Sequence, residues 1–262
     1  CCLVGSEMCI RDRFKKINVG KWSFRNKIFK SIIINFVKKN ILKKLKNKII
    51  VSCQPNEGGP QDKTSIVVSM AKAAIIGGCG GVRIEGEKNI RAVKKNISLP
   101  IIGIIKNDLD NYKVKITPLL KDVDKIINSG AEIIAYDATN RKRPFPTKEI
   151  ILKIKKANRL AMADCSNLDD AKNAILEGAD IIGTTLAGYV GKQVKDTDKP
   201  NIKLVKEFKK LNCFVMAEGR YNTPELAKQA IQAGADAVTI GSAITRICLL
   251  YTSPSPRDNT LS

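Results

Sequence analysis

The sequence predicts an α/β fold closed into an eight-stranded parallel barrel, and three observations carry that prediction. The first is a repeated phrase: "GGCGGVRIEG", "NSGAEIIAYD", "LEGADIIGTT" and "QAGADAVTIG" each set a glycine behind a helical pattern, then a short turn and a β-branched run. That is how an α-helix hands over to a buried strand. The second is the spacing of about fifty residues, which is room for two βα units, so four copies imply eight. The third is an omission after the first strand, where "VSCQPNEGG" holds no G-x-G-x-x-G, the fingerprint expected of an open doubly wound sheet. Eight alternating units close most economically as a TIM (β/α)8 barrel.

Along the chain the strands read "KIIVSCQ", "GVRIEG", "IIGIIK", "EIIAYDAT", "LAMADCS", "DIIGTT", "FVMAEGR" and "AVTIGSA". Each is a short apolar run bounded by turn residues, the pattern of a strand buried on both faces. Between them lie amphipathic helical runs such as "SIVVSMAKAAIIGG", "KEIILKIKKANR", "LDDAKNAILEG" and "TPELAKQAIQAG". The last strand is expected to end near Ala243 and the barrel pattern to stop at Arg246. A complete barrel needs an eighth helix over the seam between its last and first strands. Here that helix is expected to be truncated, with apolar surface left at the seam.

The ends do not match the middle. Residues 1–13 ("CCLVGSEMCIRDR") and 247–262 continue no periodic pattern and resemble translated sequencing-adapter sequence, so both are expected to be artefactual and unstructured. Residues 14–39 are expected to form a basic, partly helical extension. Residues 40–246 are expected to form the barrel. From 14 to 48 the chain holds roughly a dozen basic residues and no acid, more than half of the net charge of +21. Its longest apolar run, "SIIINFV", is far too short to span a bilayer.

Composition narrows the chemistry. With 262 residues and 44% hydrophobic content the chain can bury a full core. It has no histidine, which removes Ser-His and Cys-His nucleophilic systems and leaves zinc little to bind. Outside the anomalous ends, Cys53, Cys79, Cys165 and Cys213 are far apart and form no metal-ligand spacing, so they read as small apolar side chains in a reducing, cytoplasmic compartment.

In a barrel of this class the side chains at the carboxyl ends of the strands converge on one face. Those ends are Gln54, Arg83 with Glu85, Lys106, Asp137, Asp164, Thr184 with Thr185, Glu218 with Arg220, and Gly241 with Ser242. One polar strand end is a loop; eight are a site. A mixture of Lys, Arg, Asp and Glu, with no histidine and no nucleotide fingerprint, suits proton transfer on an anionic substrate. Lys106 has a reference pKa of about 10.4, so acting as a base requires burial or a neighbouring cation to depress it, and a Schiff-base lysine would require the same. The last two strands suggest a phosphate. "AEGRYNTPE" brings Gly219 and Arg220 before a helix with Thr223 as cap and Pro224 in its first turn, and "TIGSAITR" brings Gly241, Ser242 and Arg246.

The motifs "IVSCQP", "VRIEG", "LPIIGIIKNDL", "LAMADCS", "IIGTTLAGY", "AEGRYNTPELA" and "VTIGSAITR" together resemble the N-acetylmannosamine-6-phosphate 2-epimerases of bacterial sialic-acid catabolism, from about residue 40 to Arg246. The resemblance implies an epimerase that uses neither metal nor cofactor and interconverts N-acetylmannosamine 6-phosphate and N-acetylglucosamine 6-phosphate. It implies Lys106 as the proton acceptor and donor at C2, with Glu218 assisting. Gln54, Arg83, Asp137, Asp164 and Thr185 are implied around the sugar. Gly219, Arg220, Gly241, Ser242 and Arg246 fall where phosphate is expected. The family usually carries serine where Ala187 stands, so one substrate hydrogen bond is expected to be missing.

The implied partner is a phosphorylated N-acetylamino sugar, without nucleic acid or membrane, and a homodimer is left open. Two other readings remain at this point. One is a phosphate-binding lyase or aldolase with Lys106 as a Schiff base. The other is a basic protein that grips nucleic acid or anionic lipid through its amino-terminal arm.

Overall fold

Eight parallel strands follow one another around a closed barrel in chain order: β1 (Ile49–Cys53), β2 (Gly81–Glu85), β3 (Ile101–Ile104), β4 (Ile133–Asp137), β5 (Leu160–Asp164), β6 (Ile181–Gly183), β7 (Phe214–Glu218) and β8 (Ala237–Ile240). β8 returns to β1 through the pairs Ile49 with Val238, Ile50 with Thr239 and Val51 with Ile240. The computed structural model describes residues 19–191 and 199–245, with side chains from Ile32 onward. The predicted TIM barrel is the observed fold. One strand boundary moves: β8 ends at Ile240, and Ser242–Thr245 already form a helical turn.

Helices α2 (Thr64–Ile76), α3 (Glu87–Asn96), α4 (Leu120–Ser129), α5 (Thr147–Lys156), α6 (Leu168–Glu177), α7 (Ile202–Lys209) and α8 (Pro224–Gln232) link successive strands, and the four-residue α9 (Ser242–Thr245) follows β8. Their starts are encoded locally. Asn167, Asn201 and Thr223 accept hydrogen bonds from the backbone N–H groups of Asp170, Leu204 and Leu226, each cap contributing about 1 kcal/mol.

The period-two alternation of each strand divides the apolar residues between two cores. Ile50, Ile102, Ile133, Leu160, Ile181 and Met216 point into the barrel, whereas Val51, Val82, Ile134, Ala161, Ile182 and Val215 point outward under the helices. Burying an isoleucine or leucine side chain contributes about 1.5–3 kcal/mol, so a register slip that exchanged the two faces would lose both cores.

The repeated phrase has a physical explanation on the opposite face from the strand carboxyl ends. Its glycines, Gly78, Gly130, Gly178 and Gly234, all take positive φ, from 83° to 107°, the left-handed conformation that ends a helix and is costly for other residues. The acids that follow tie neighbouring units together. Glu132, Asp180 and Asp236 accept the backbone N–H groups of Ile101, Ala161 and Val215 at 3.1, 2.8 and 3.0 Å, and each also pairs with a lysine, Lys94, Lys155 or Lys209. Each acid therefore joins the start of an earlier strand to the helix preceding that strand.

By internal contacts the chain divides into two units, 1–40 and 41–262. A helix, α1 (Val19–Leu45), runs through the division. Within the second unit its last turn places Ile41, Leu42 and Leu45 against the interior core of the barrel, and Leu45 is fully buried. Within the first unit Ile32, Ile33, Phe36 and Val37 are exposed. No described helix is long and apolar enough to cross a membrane. An apolar groove of about 930 Å³ lies between α2 and α8, lined by Met70, Ala73, Ala74, Ala227, Ile231 and Ile244. The segments 1–13 and 247–262 of the sequence reading, together with the expected truncation of the helix after β8, lie outside the described residues.

Candidate active site

The alternation that fills the barrel interior leaves one inner-facing position above the last apolar layer of most strands. In β2 that sequence is Arg83 then Glu85; in β5 it is Met162 then Asp164, in β7 Met216 then Glu218. Beyond the ends of β1, β3, β6 and β8 the same parity reaches Gln54, Lys106, Thr185 and Gly241. The polar residues therefore converge because they continue the inward-facing parity of their strands.

They enclose a cavity of about 370 Å³, within the range of small-molecule sites. Gln54, Arg83, Lys106, Thr185, Glu218, Gly219, Arg220, Gly241 and Ser242 line it. Two of the residues expected around the sugar do not. Asp164 is fully buried and reaches the site only through Arg83 and Thr185, while Asp137 turns to its own loop. Arg246 lies outside the described residues.

Arg83 organises the floor. Its side chain is 2% exposed, its Nη1 donates to Glu218 Oε2 at 2.8 Å and to Asp164 Oδ1 at 3.1 Å, and its Nη2 donates to Asp164 Oδ2 at 2.6 Å. The planar guanidinium fork thus engages one carboxylate with both arms and a second with one. Burial works against its charge, yet Asp164 and Glu218 outweigh burial and hold the guanidinium above its usual range. Thr185 Oγ1 donates to Asp164 Oδ1 at 2.6 Å. A Cβ at Gly183 would lie 3.1 Å from Thr185 Oγ1 and 3.5 Å from Asp164 Oδ1, so glycine leaves room for that contact.

Glu218 is a different kind of acid. Burial pushes its carboxyl up, Arg83 resists, Asp164 adds to the rise, and the result is about 7. A carboxyl placed there can give or take a proton near neutrality. Thr184 fixes its backbone, accepting the Glu218 N–H at 3.0 Å and donating to the Glu218 carbonyl at 2.9 Å.

Lys106 follows β3 and lines the same cavity. Its backbone is pinned by an antiparallel bridge to Ile116 and by Thr117, whose N–H donates to the Ile105 carbonyl at 2.7 Å and whose hydroxyl donates to the Ala135 carbonyl at 2.7 Å. Thr117 is fully buried and adopts φ 47°, a strained conformation for a β-branched residue. The loop after β3 is therefore fastened to β4, and the lysine starts from a fixed backbone.

On the far wall Gly219 (φ 108°) and Arg220 (φ 64°) turn the chain sharply. Arg220 Nη2 donates to the Ala187 carbonyl at 3.0 Å, its guanidinium lies 5.4 Å from the Tyr189 ring centroid, and its Nη1 is buried without a hydrogen-bond partner. An unpartnered guanidinium nitrogen in a cavity wall is suited to an anionic oxygen. Ala187 thus contributes its carbonyl, whatever side chain it carries.

Asp137 accepts from Arg141 Nη2 at 2.6 Å, from Arg143 Nη2 at 3.5 Å, and from the Thr139 hydroxyl and N–H at 2.6 and 3.0 Å. It organises the loop after β4. Sequence reading did not single out Ser52, Tyr189, Arg141 or Arg143. Ser52, which accepts from Gln54 Nε2 at 2.7 Å, was accessible from parity, being two residues before Gln54. Nothing in the loop sequences announced the other three. Among the described residues no three His, Cys, Asp or Glu side chains gather where they would hold a metal ion.

Residues 67–253 match the family model NanE, described as "Putative N-acetylmannosamine-6-phosphate epimerase". A Haemophilus influenzae protein, "Putative N-acetylmannosamine-6-phosphate 2-epimerase", is 49% identical over 207 residues, which is 79% of this chain and 90% of that protein. A Glaesserella parasuis protein of the same description is 48% identical over 210 residues, 80% of this chain and 90% of the relative. The solved N-acetylmannosamine-6-phosphate 2-epimerase from Clostridium perfringens superposes with a TM-score of 0.77 at 38% identity, over 80% of this chain and 93% of that one. Thiamine phosphate pyrophosphorylase from Pyrococcus furiosus, at 14% identity and a TM-score of 0.52, shares the fold alone. With a family model matched over more than half of its length and relatives near half identical, this chain belongs to the N-acetylmannosamine-6-phosphate epimerase family.

Proposed function

We propose that the cavity is where N-acetylmannosamine 6-phosphate and N-acetylglucosamine 6-phosphate are interconverted at C2, with Lys106 carrying the proton and Glu218 serving as acid and base. The family and its relatives give the activity; the roles of individual residues are proposed from the geometry of the cavity. The observation that carries it is the meeting of Lys106 and Glu218 in one cavity, with the carboxyl raised to about 7.

The chemistry follows from the substrate. The C2 proton of an N-acetylamino sugar is acidic only when C1 is an aldehyde, so the ring opens first. Glu218, poised near neutrality, moves the C1 hydroxyl proton. Neutral Lys106 then takes the C2 proton, the C2–H electron pair moves into the C1–C2 bond, and the C1 oxygen becomes an enolate oxygen. Arg83 places a fixed positive charge in the wall beside that oxygen, with Gln54 in the same wall, the kind of preorganised stabilisation that usually dominates catalysis. Return of the proton to the opposite face of C2 gives the epimer, with no net oxidation or reduction. Arg220, Gly219, Gly241 and Ser242 lie together on the wall best suited to the phosphate.

The test is conversion of N-acetylmannosamine 6-phosphate followed by NMR, with borohydride added in a parallel sample. Epimer formation without inactivation by borohydride supports the proposal. Substrate-dependent trapping of a reduced adduct on Lys106 would instead establish a Schiff-base enzyme.

A further inference from the structure

Lys106 has a second acidic neighbour that the epimerisation chemistry above does not use. Glu85 ends β2 on the same inner face as Arg83, paired in register with Ile104 of β3. Its Oε1 lies 3.4 Å from the Lys106 backbone nitrogen. Behind it opens a second cavity of about 310 Å³, lined by Gln54, Glu57, Asp62, Glu85, Asn89 and Lys106. Lys106 thus stands in a wall common to two spaces, the cavity assigned to the sugar and an acidic one beside it.

We propose that Glu85 is the positioning residue of Lys106, its carboxylate holding the lysine ammonium between proton transfers and so setting how readily the amine takes and returns the C2 proton. This rests on the reading of Lys106 as the proton carrier.

A proton carrier must be neutral to accept and charged to return. Lys106 is faced by Glu218 of β7 across the cavity and by Glu85 of β2, with Glu57 and Asp62 of the loop after β1 lining the space behind. Arg83, the cation on the same inner face as Glu85, is already engaged by Asp164 and Glu218. The balance around the amine is therefore acidic, and nearby carboxylates favour the ammonium. The carboxylate of Glu85 is met by the Lys106 N–H, and its main chain is held separately from Lys106. Its carbonyl accepts from Asn89 Nδ2 at 3.0 Å, and Asn89 Oδ1 accepts from the Thr64 hydroxyl at 2.8 Å, so β2, α2 and α3 fix it together. Burial raises the Glu85 carboxyl, the Lys106 N–H and charge oppose the rise, and Asp62 and Glu57 add to it. A carboxylate placed in this way can hold the ammonium when the sugar is absent and release it when the sugar arrives.

The experiment is titration of Lys106 in the full chain by carbon-13 NMR of its ε-carbon, assigned by loss of the signal in Lys106→Arg. Glu85→Gln should lower the Lys106 midpoint by about one pH unit, because a single nearby charge typically shifts a partner by this much. Glu85→Asp, which keeps the charge, should recover part of that shift. A midpoint unchanged in a folded Glu85→Gln protein, or Glu85→Asp behaving like Glu85→Gln, would overturn the proposal. Full epimerisation by Lys106→Ala would sink the proton-carrier reading instead, and the titration would still report whether Glu85 holds the ammonium.

Discussion

Asp164 and Asp137 stand side by side at the ends of adjacent strands, paired in register and both almost fully buried, yet they serve different parts of the molecule. Asp164 is met from across the barrel, by Arg83 of β2 and Thr185 after β6. Asp137 is met from its own loop, by Thr139, Arg141 and Arg143. Strand position alone therefore does not connect an acid to the cavity; the origin of its cation does. A long-range guanidinium ties Asp164 to Glu218 and the site, whereas local ones tie Asp137 to a surface loop.

The largest effect is expected from Asp164→Ala. It leaves a buried guanidinium with one carboxylate, and losing one partner of a buried ion pair typically costs about 3–5 kcal/mol. Urea unfolding should register that loss, and epimerase activity should fall below detection. If Asp164→Ala were as stable and active as the parent, Arg83 would not be the centre of the site. Next in size is Glu218→Gln, whose effect depends on pH. The Glu218 carboxyl lies at about 7 in the folded protein against an ordinary 4.5, so the folded state binds this proton more tightly than the unfolded state does. The resulting stability is fully present below pH 4.5 and is lost as pH rises through about 7. The unfolding free energy of the parent relative to Glu218→Gln should therefore fall across that interval, and a flat difference would refute the raised carboxyl.

Asp137→Asn should do less. It weakens charge-assisted bonds that the amide still partly satisfies, for a stability loss of about 1–2 kcal/mol, and hydrogen exchange should quicken in residues 138–145 while turnover stays within about tenfold. A collapse of turnover in this variant would place Asp137 in the substrate site after all. Smallest is Thr185→Val, which removes one hydroxyl donor from Asp164 and should cost about 1 kcal/mol on unfolding, with a modest loss of kcat/KM.

The barrel was legible because each of its signals is local and repeated. The glycine that ends a helix and the period-two run lie within ten residues of one another in each copy of the phrase, and in three of the four copies so does the acid that binds a strand start. The cavity was legible for a related reason: Gln54, Lys106 and Glu218 sit at fixed parity beyond core residues, so strand ends predict convergence. What was not legible depended on loops. Arg141 and Arg143 lie in a stretch whose sequence gives no hint that both fold back onto Asp137, and Tyr189 reaches Arg220 from a segment without periodicity. The Arg83 contacts span 81 and 135 residues of sequence, so the sequence identified the participants without showing which acid each arm would take.

The role of Lys106 as proton carrier is tested most simply by incubation with N-acetylmannosamine 6-phosphate in deuterated water, following C2 by NMR for the parent and for Lys106→Ala. The parent should form N-acetylglucosamine 6-phosphate labelled with deuterium at C2, and the variant should form none while retaining the fold. Labelled product from Lys106→Ala at an undiminished rate would contradict that role, and would move the proton carrier to another residue of the cavity.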